Sequence, residues 1–222
     1  EAHSLVSGGG QAMGEIDDAT IYKDLLDTLV ANNQLATNGV EYNPYEEIVV
    51  KSKVVALLQD GRQVDSAIVG DKVEVVLAST HFYVQSGGQV SDTGIIEGNG
   101  WSIEVEDMKK PVTGMIVHVG EVVEGNPKVA DDVTATVDLS RRQDIKRHHT
   151  GTHLLHAALR NTLGKHVQQR GSLVAPDRLR FDFSHFEAVT PTELNEIERL
   201  VNQEIRQNHA RDTQLMQIDE AK

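Results

Sequence analysis

Residues 147–172 read Arg-His-His-Thr-Gly-Thr-His-Leu-Leu-His-Ala-Ala-Leu-Arg-Asn-Thr-Leu-Gly-Lys-His-Val-Gln-Gln-Arg-Gly-Ser, and they organise the C-terminal part of the chain. The pattern predicts a helix from about His149 to Leu163 that ends at Gly164, because glycine accepts the left-handed backbone that often closes a helix. The buried stripe of this helix is expected from residues at helical spacing, namely Leu155, Ala158, Leu159, Thr162 and Leu163.

The opposite face of this helix is polar, because residues three and four positions apart are neighbours on a helix. Its members are His149, Thr152, His153 and His156. His149 and His153 can point at one metal ion, which gives half of a tetrahedral zinc site that needs two further ligands. A solvated polar face is the alternative for an isolated His-x-x-x-His pattern. Two further polar residues, Gln168 and Gln169, follow the helix.

Length and composition indicate a globular chain. Of its 222 residues, 39% are apolar and 25% are charged, and the length predicts two domains or two and a fragment. No apolar run approaches the roughly 18 residues of a membrane-spanning helix, and no signal peptide opens the chain. The absence of cysteine fits a cytoplasmic protein, and it restricts zinc ligands within the chain to His, Asp and Glu.

The charge is distributed unevenly. Residues 141–180 hold nine cations and two acids, a local charge of +7 within a total of −13. The cations are Arg141, Arg142, Lys146, Arg147, Arg160, Lys165, Arg170, Arg178 and Arg180. A cationic segment on an acidic body is consistent with local contact to phosphates, and a solvated surface is the alternative.

Residues 46 to about 138 read as β structure. Branched or alternating segments indicate strands at 48–50, 54–58, 73–77, 103–105 and 133–138, and turn signals such as Asp60-Gly61 separate them. Several short strands at this spacing favour a small closed barrel. Before the barrel, residues 1–14 are polar and Gly-rich, and a helix is predicted from Asp17 to about Asn32.

The predicted barrel contains the stretch Thr-His-Phe-Tyr-Val-Gln-Ser-Gly-Gly-Gln-Val-Ser-Asp-Thr-Gly at residues 80–94. Gly87 and Gly88 permit positive φ, and the resulting turn holds out Gln89. Alone, Gly-Gly-Gln is also a plain turn followed by a polar residue, and the same tripeptide serves ester hydrolysis in peptide-release factors.

The C-terminal part contains two further predicted elements. Residues 179–183 alternate as a strand, and Thr190-Pro191-Thr192-Glu193 is a capping box with proline at the first helical position. This box opens a helix at about 191–207. The residues expected to be buried by it are Leu194, Ile197, Val201 and Ile205. Residues 211–218 are read as the start of another strand.

Three of these stretches, residues 150–160, 166–174 and 179–186, resemble the editing domain of alanyl-tRNA synthetase. Residues 80–94 resemble the same family's Phe-Tyr-x-Glu-x-Gly-Gly-Gln-x-x-Asp-x-Gly pattern, with Gln85 in place of the usual Glu. The resemblance implies an α+β fold, with a small β-barrel followed by an α/β editing domain of helices on an antiparallel sheet, truncated at its C-terminal end. The expected domains are a flexible or helical linker (1–45), the barrel (46–140) and an incomplete editing domain (141–222).

The resemblance also implies cofactors. His149 and His153 match two of the family's four zinc ligands, and a Cys-x-x-x-His motif further along the family's sequence supplies the other two. ATP and Mg²⁺ belong to an aminoacylation module that precedes the barrel in the family, so the chain is expected to be an internal fragment.

The implied activity is the deacylation of tRNA(Ala) mischarged with serine or glycine, in the cytoplasm. The expected partners are tRNA(Ala) and its alanine, serine and glycine esters. Gln89, Thr152 and Gln169 would line the pocket, and Arg147, Arg160 and Arg170 would contact phosphates. The partner is tRNA, with neither DNA nor a membrane expected. Two alternatives remain open: a tRNA-binding module without chemistry, and an independent metallohydrolase with His185 or an acid as third ligand.

Overall fold

The structure, a computed structural model, describes residues 12–45 and 47–210. These residues fall into two compact units that divide between Ile145 and Lys146. No helix in the described ranges is long and apolar enough to cross a membrane. The predicted strand at 211–218 lies outside the described residues.

The first unit begins with helix α1, Ala12–Ala31, which confirms the predicted helix and starts it five residues earlier. Tyr22, Leu25 and Leu29 are buried in the same apolar core as the strands that follow. After α1, the short strand β1 (Glu41–Tyr42) pairs in parallel with β5 (Ser79–Thr80).

A closed six-stranded barrel forms the body of the first unit, as the sequence predicts. The strands of its sheet are β2 (Val49–Gln59), β3 (Arg62–Val64), β4 (Lys72–Leu77), β6 (Gly94–Gly98), β7 (Trp101–Lys109), β8 (Val117–Glu124) and β9 (Asp132–Val137). The order β2-β4-β8-β7-β6-β9 is antiparallel throughout and closes where β9 pairs with β2. Strand β3 adds a hairpin to β2 across the predicted Asp60-Gly61 turn.

Two details of the strand prediction are wrong. The segments 48–50 and 54–58 are one strand, β2, whose first half pairs with β9 and whose second half pairs with β4. Its polar residues Lys51 and Lys53 are exposed where the strand alternates, so they do not interrupt it. Strands β6 and β8 were not predicted, because β6 begins and ends with glycine and β8 contains Gly120. A Cβ at Gly120 would lie 2.0 Å from the Glu104 carbonyl oxygen, so the close approach of β7 requires glycine there.

One histidine lies inside the barrel with both ring nitrogens satisfied. His118 Nδ1 donates to the Val75 carbonyl at 3.1 Å, so its Nε2 accepts from the Thr80 hydroxyl at 2.8 Å. The Phe82 ring packs edge-on against it with centroids 5.2 Å apart. Burial lowers the pKa of His118 to about 4, although the bond to Val75 acts in the opposite direction, so the ring is neutral near pH 7.

Helix α2 spans Leu139–Leu163, ten residues longer at its N-terminal end than predicted. The missed turns are held by Arg142 and Ile145, which are both buried. Because Arg142 occupies a position that usually carries an apolar residue, the helical spacing of apolar residues is not recognisable there in the sequence. The end of the helix is as predicted, with Gly164 at φ +115°.

The second unit packs α2 from Lys146 onward with the antiparallel hairpin β10 (Gln169–Val174) and β11 (Leu179–Phe183) and with α3 (Pro191–Gln207). Its buried core consists of Ala158, Leu159, Val167 and Ile197, with partly buried apolar residues around them. Strand β11 and α3 have the predicted bounds, whereas β10 was not predicted.

Helix α3 begins with the predicted capping box. The Thr190 hydroxyl accepts from the Glu193 backbone N–H, and the Glu193 carboxylate accepts from the Thr190 N–H at 2.8 Å, which lowers the pKa of Glu193. The predicted burial is wrong for two residues, since Leu194 is 54% exposed and Ile205 is 55% exposed. Both lie roughly 60–80° around the helix from Ile197, beyond the width that a two-stranded hairpin covers.

Candidate functional site

The polar face of α2 carries the two histidines that the sequence singles out. His149 and His153 are exposed, with ring centroids 5.1 Å apart and planes 21° apart. Two imidazoles bonded to one tetrahedral ion at about 2.0 Å have centroids about 5 Å apart, so this spacing fits a shared metal ion. The helical period alone brings the pair together, because they are four residues apart.

This pair offers two potential metal ligands. Within residues 12–45 and 47–210, no group of three or more His, Asp or Glu residues could hold a metal ion. The alternative with His185 or an acid as third ligand therefore has no support within these residues. His185 Nδ1 lies 2.9 Å from His166 Nε2, so His185 is hydrogen-bonded to His166.

Between the two histidines, Thr152 is buried with 6% exposure. Its hydroxyl donates to the His148 carbonyl at 2.9 Å, a bond within the helix that leaves the hydroxyl oxygen able to accept. His148 in turn donates from Nδ1 to the Ala175 carbonyl at 2.7 Å. This bond ties the helix to the end of β10, so the backbone that carries Thr152 is fixed against the hairpin.

One turn further along the same face, His156 packs its ring against Phe181 of β11, with centroids 5.1 Å apart. Its Nε2 is shielded from solvent and has no hydrogen-bond partner in the described part of the chain. A buried nitrogen without a partner costs about 1–3 kcal/mol. A polar group that binds against this face could satisfy it.

Gln169 owes its position to a β-bulge that the sequence does not indicate. The register of β10 and β11 shifts between Gln169 and Gly171, so that Arg170 is the extra residue. Gln169 is therefore opposite Phe183, where a regular hairpin would put Arg170. Bulges are common beside functional sites, because they redirect a side chain. Both Gln169 and Arg170 are exposed.

Gln89 lies in the other compact unit, on the turn that the sequence predicts. Ser86 and Gln89 exchange two backbone hydrogen bonds of 3.1 and 3.0 Å around the two glycines. Gly87 has φ +58° and Gly88 has φ +85°, which confirms the expected positive φ. The Tyr83 hydroxyl donates to the Ser86 carbonyl at 3.2 Å, and burial raises the pKa of Tyr83.

A buried ion pair anchors the segment that carries this turn, and the sequence analysis missed it. Asp92 accepts the Tyr83 backbone N–H at 2.6 Å and donates its own N–H to the Tyr83 carbonyl at 3.0 Å. Arg142 of α2 pairs with the same carboxylate through Nε at 3.2 Å and through a second guanidinium nitrogen. Asp92 belongs to the quoted motif, but nothing local in the sequence indicates Arg142.

The cationic segment presents fewer charges than its composition suggests. Arg142 is buried with Asp92, Arg178 pairs with Asp177 at 2.7 Å, and Arg180 pairs with Asp182 at 3.2 Å. The three arginines singled out for phosphate contact, Arg147, Arg160 and Arg170, are all exposed. Arg160 lies in the last turn of α2, where a cation also complements the helix dipole.

The chain is similar to known proteins along most of its length. The family model described as tRNA synthetases class II (A) matches residues 17–141, more than half of the chain. An alanine–tRNA ligase of Chloroflexus aurantiacus is 50% identical over 165 residues, which are 74% of this chain and 18% of that protein. An alanine–tRNA ligase of a Ruegeria species is 44% identical over 214 residues, 96% of this chain and 23% of that protein.

A third relative, the alanine–tRNA ligase of Idiomarina loihiensis, is 48% identical over 192 residues, 86% of this chain and 22% of that protein. The chain thus spans about a fifth of the length of the curated relatives it matches. These relatives confirm the resemblance to alanyl-tRNA synthetase that the motifs indicate. On the extent of the family match, the chain belongs to the class II (A) tRNA synthetases.

Proposed function

We propose that this chain is the barrel and editing portion of an alanine–tRNA ligase, and that in the whole enzyme this portion hydrolyses the ester of tRNA(Ala) mischarged with serine or glycine. The observation that carries the proposal is the α2 face on which His149 and His153 flank the buried Thr152, in a chain whose relatives are alanine–tRNA ligases. ATP-dependent aminoacylation and its Mg²⁺ belong to the part of the relatives that this chain does not cover.

The physical need for such a site follows from the size of the amino acids. A pocket for alanine cannot exclude the smaller glycine, and it rejects serine only weakly. One small group is worth about 1–3 kcal/mol of discrimination. A second site that hydrolyses the wrong ester then supplies the missing accuracy.

Each residue of the site has a role in this proposal. His149 and His153 would hold Zn²⁺ together with two ligands from outside the described residues, and the ion would act as a Lewis acid that orients the substrate or water. The Thr152 hydroxyl already donates to the His148 carbonyl, and its oxygen accepts a hydrogen bond from the serine hydroxyl. Gln169 offers its amide group to the ester, and the cations Arg147, Arg160 and Arg170 contact tRNA phosphates.

A binding module without chemistry is the second candidate. It is favoured by the two-ligand donor set, because no third ligand lies near His149 and His153 in the described ranges. On either reading the partner is tRNA(Ala), and the chain alone is expected to hydrolyse the ester weakly or not at all.

The test compares two proteins: the chain itself, and a full-length alanine–tRNA ligase in which the chain replaces the matching segment. Hydrolysis of seryl-, glycyl- and alanyl-tRNA(Ala) is measured for each, with His149→Ala and Gln169→Ala as variants. His209→Ala, an exposed histidine beyond α3, is the matched control.

The proposal expects the full-length chimaera to hydrolyse the seryl and glycyl esters faster than the alanyl ester. It also expects His149→Ala to abolish this activity and His209→Ala to leave it unchanged. If neither protein hydrolyses any ester while both bind the tRNA, the binding-module reading replaces the editing one.

A further inference from the structure

Three aromatic rings form a stack of two layers at the surface of the second unit. The His166 and His185 rings lie side by side in one layer, with centroids 5.1 Å apart and planes 16° apart, and Phe186 stacks on His166 at 4.5 Å and 25°. Phe186 is 87% exposed, more than any other large apolar residue of the described chain. Its ring thus has one face against a histidine and most of its remaining surface in solvent.

The fold holds this stack in place from two sides. His166 precedes β10, and His185 and Phe186 follow β11, so both segments leave the same end of the hairpin. The Ser184 N–H donates to the Gln168 carbonyl at 3.0 Å, which extends the pairing beyond the strands. The bond between His166 Nε2 and His185 Nδ1 fixes the rings, and the next residue, Val167, is fully buried. The stack is therefore preorganised.

The ring geometry suits a flat, π-rich ligand. An exposed phenylalanine gains nothing from water, whereas stacking of one nucleobase on an aromatic ring is worth about 1–3 kcal/mol. The base has to be unpaired, because bases inside a duplex already stack on both faces, and a base at the end of a strand has a neighbour on one side only. Two exposed cations lie close along the chain, Lys165 beside His166 and Arg170 in the bulge, and neither forms an ion pair within the described residues.

We propose that the Phe186–His166–His185 stack is a docking platform for the unpaired terminal base of an RNA strand. The proposal rests on the function proposed above in one respect, namely that RNA is the partner. It adds that the stack binds the end of the RNA strand. Lys165 and Arg170 then contact the phosphates that precede the docked base. A protein partner would use the same exposed ring through hydrophobic contact alone, and the variants below separate the two.

The probe is a short single-stranded RNA with 2-aminopurine as its 3′-terminal base, whose fluorescence is quenched when the base stacks. Binding is followed by anisotropy and stacking by quenching. Phe186→Tyr keeps the flat ring, Phe186→Leu keeps the apolar bulk, and Phe186→Ala removes both. Leu194→Ala, at another exposed apolar side chain of the same unit, is the control.

We expect Phe186→Leu and Phe186→Ala to weaken RNA binding by about tenfold and to remove the quenching. Phe186→Tyr and Leu194→Ala are expected to behave like the unaltered chain. In a duplex RNA with 2-aminopurine at an internal position, where the base is already stacked and quenched, addition of the protein should cause no further quenching.

Quenching that survives in Phe186→Leu, or binding that is unchanged in Phe186→Ala, would overturn the platform. The same proteins are assayed for hydrolysis of seryl-tRNA(Ala) in the full-length chimaera. If hydrolysis is present and the terminal base is not quenched, only the platform is wrong. If neither hydrolysis nor RNA binding is found, the proposed function fails with it.

Discussion

The two compact units differ in the burial and hydrogen bonding of their polar side chains. In the barrel unit, two buried polar groups are paired: His118 with Thr80 and Val75, and Asp92 with Arg142 and Tyr83. In the second unit, the described residues form a small apolar core around Ala158, Leu159, Val167 and Ile197, and His149, His153 and His209 are exposed. The rings of His149, His153 and His166 each face another histidine.

This difference suggests that the barrel unit acts as a scaffold, whereas the second unit presents the exposed histidines that could take part in chemistry. A buried and satisfied histidine with a pKa near 4 can neither bind a metal nor exchange a proton near pH 7. Exposed histidines on a small core remain accessible to metal and substrate, but they contribute little to stability. We therefore expect substitutions in the barrel to change stability most, and substitutions in the second unit to change binding and activity most.

The largest expected effect is the loss of the buried ion pair. Arg142→Met leaves the Asp92 carboxylate charged and buried, and should destabilise the barrel unit by about 3–5 kcal/mol in urea unfolding. Adding Asp92→Asn removes that charge and should recover part of the loss. Arg178→Met breaks an exposed pair and should change stability by less than about 1 kcal/mol. Equal stability of Arg142→Met and the unaltered chain would show that the pair contributes nothing.

Acid stability offers a sharper test of His118. Between pH 6.5 and about 4 the unfolded chain protonates this imidazole and the folded barrel does not, so the free energy of unfolding falls as the pH falls through this window. The His118 contribution is about 3 kcal/mol across the window. In His118→Leu the fall should be smaller by that amount, whereas His209→Leu should leave it unchanged. A slope that is the same in all three proteins would contradict the buried neutral ring.

In the second unit, the corresponding test is metal binding. Titration of the chain with Zn²⁺ should show one site, weakened at least about tenfold, or about 1.4 kcal/mol, in His149→Ala and in His153→Ala. His209→Ala should bind as the unaltered chain does. The thermal unfolding of both site variants should remain close to that of the parent, because the two rings are exposed. Undiminished affinity in both variants would place the metal elsewhere.

The smallest expected effect contrasts two glycines. Gly87→Ala meets no atom within 4 Å but forces alanine to φ +58°, which should cost about 1 kcal/mol and disturb Gln89. Gly151→Ala, inside α2, places its Cβ 3.4 Å from Leu179 and should stabilise by up to about 1 kcal/mol. Urea unfolding of the two variants measures both signs. If both substitutions changed the free energy of unfolding in the same direction, backbone conformation would not determine their effects on stability.

The features that were predicted correctly from the sequence are those that depend on residues close together in the chain. The capping box at Thr190, the helix end at Gly164 and the Gly-Gly turn before Gln89 each depend on a few neighbouring residues, and each is found as expected. The closed barrel followed from the spacing of branched strands. The helical period was also enough to put His149 and His153 side by side.

The missed features depend on partners that are distant in the chain. Arg142 is buried because Asp92, fifty residues earlier, neutralises it, and a polar residue in the apolar stripe then concealed the first turns of α2. Gly120 lies in a strand because the backbone of Glu104 passes close to it. The pairing of His166 with His185 appears only when the hairpin brings its two ends together. No local pattern contains these long-range contacts.

The bulge at Arg170 makes the hairpin sensitive to residue count rather than residue kind. Any substitution at 170 keeps the bulge residue in the chain, whereas deletion of Arg170 would leave Gln169 opposite Phe183 in a regular ladder without the bulge. The strand would then lose the bend that a bulge causes, and the segment from Gly164 to Gln169, which includes His166, would enter the hairpin in a different direction. Exchange of this hairpin between relatives therefore has to conserve the length of residues 164–170 before their composition.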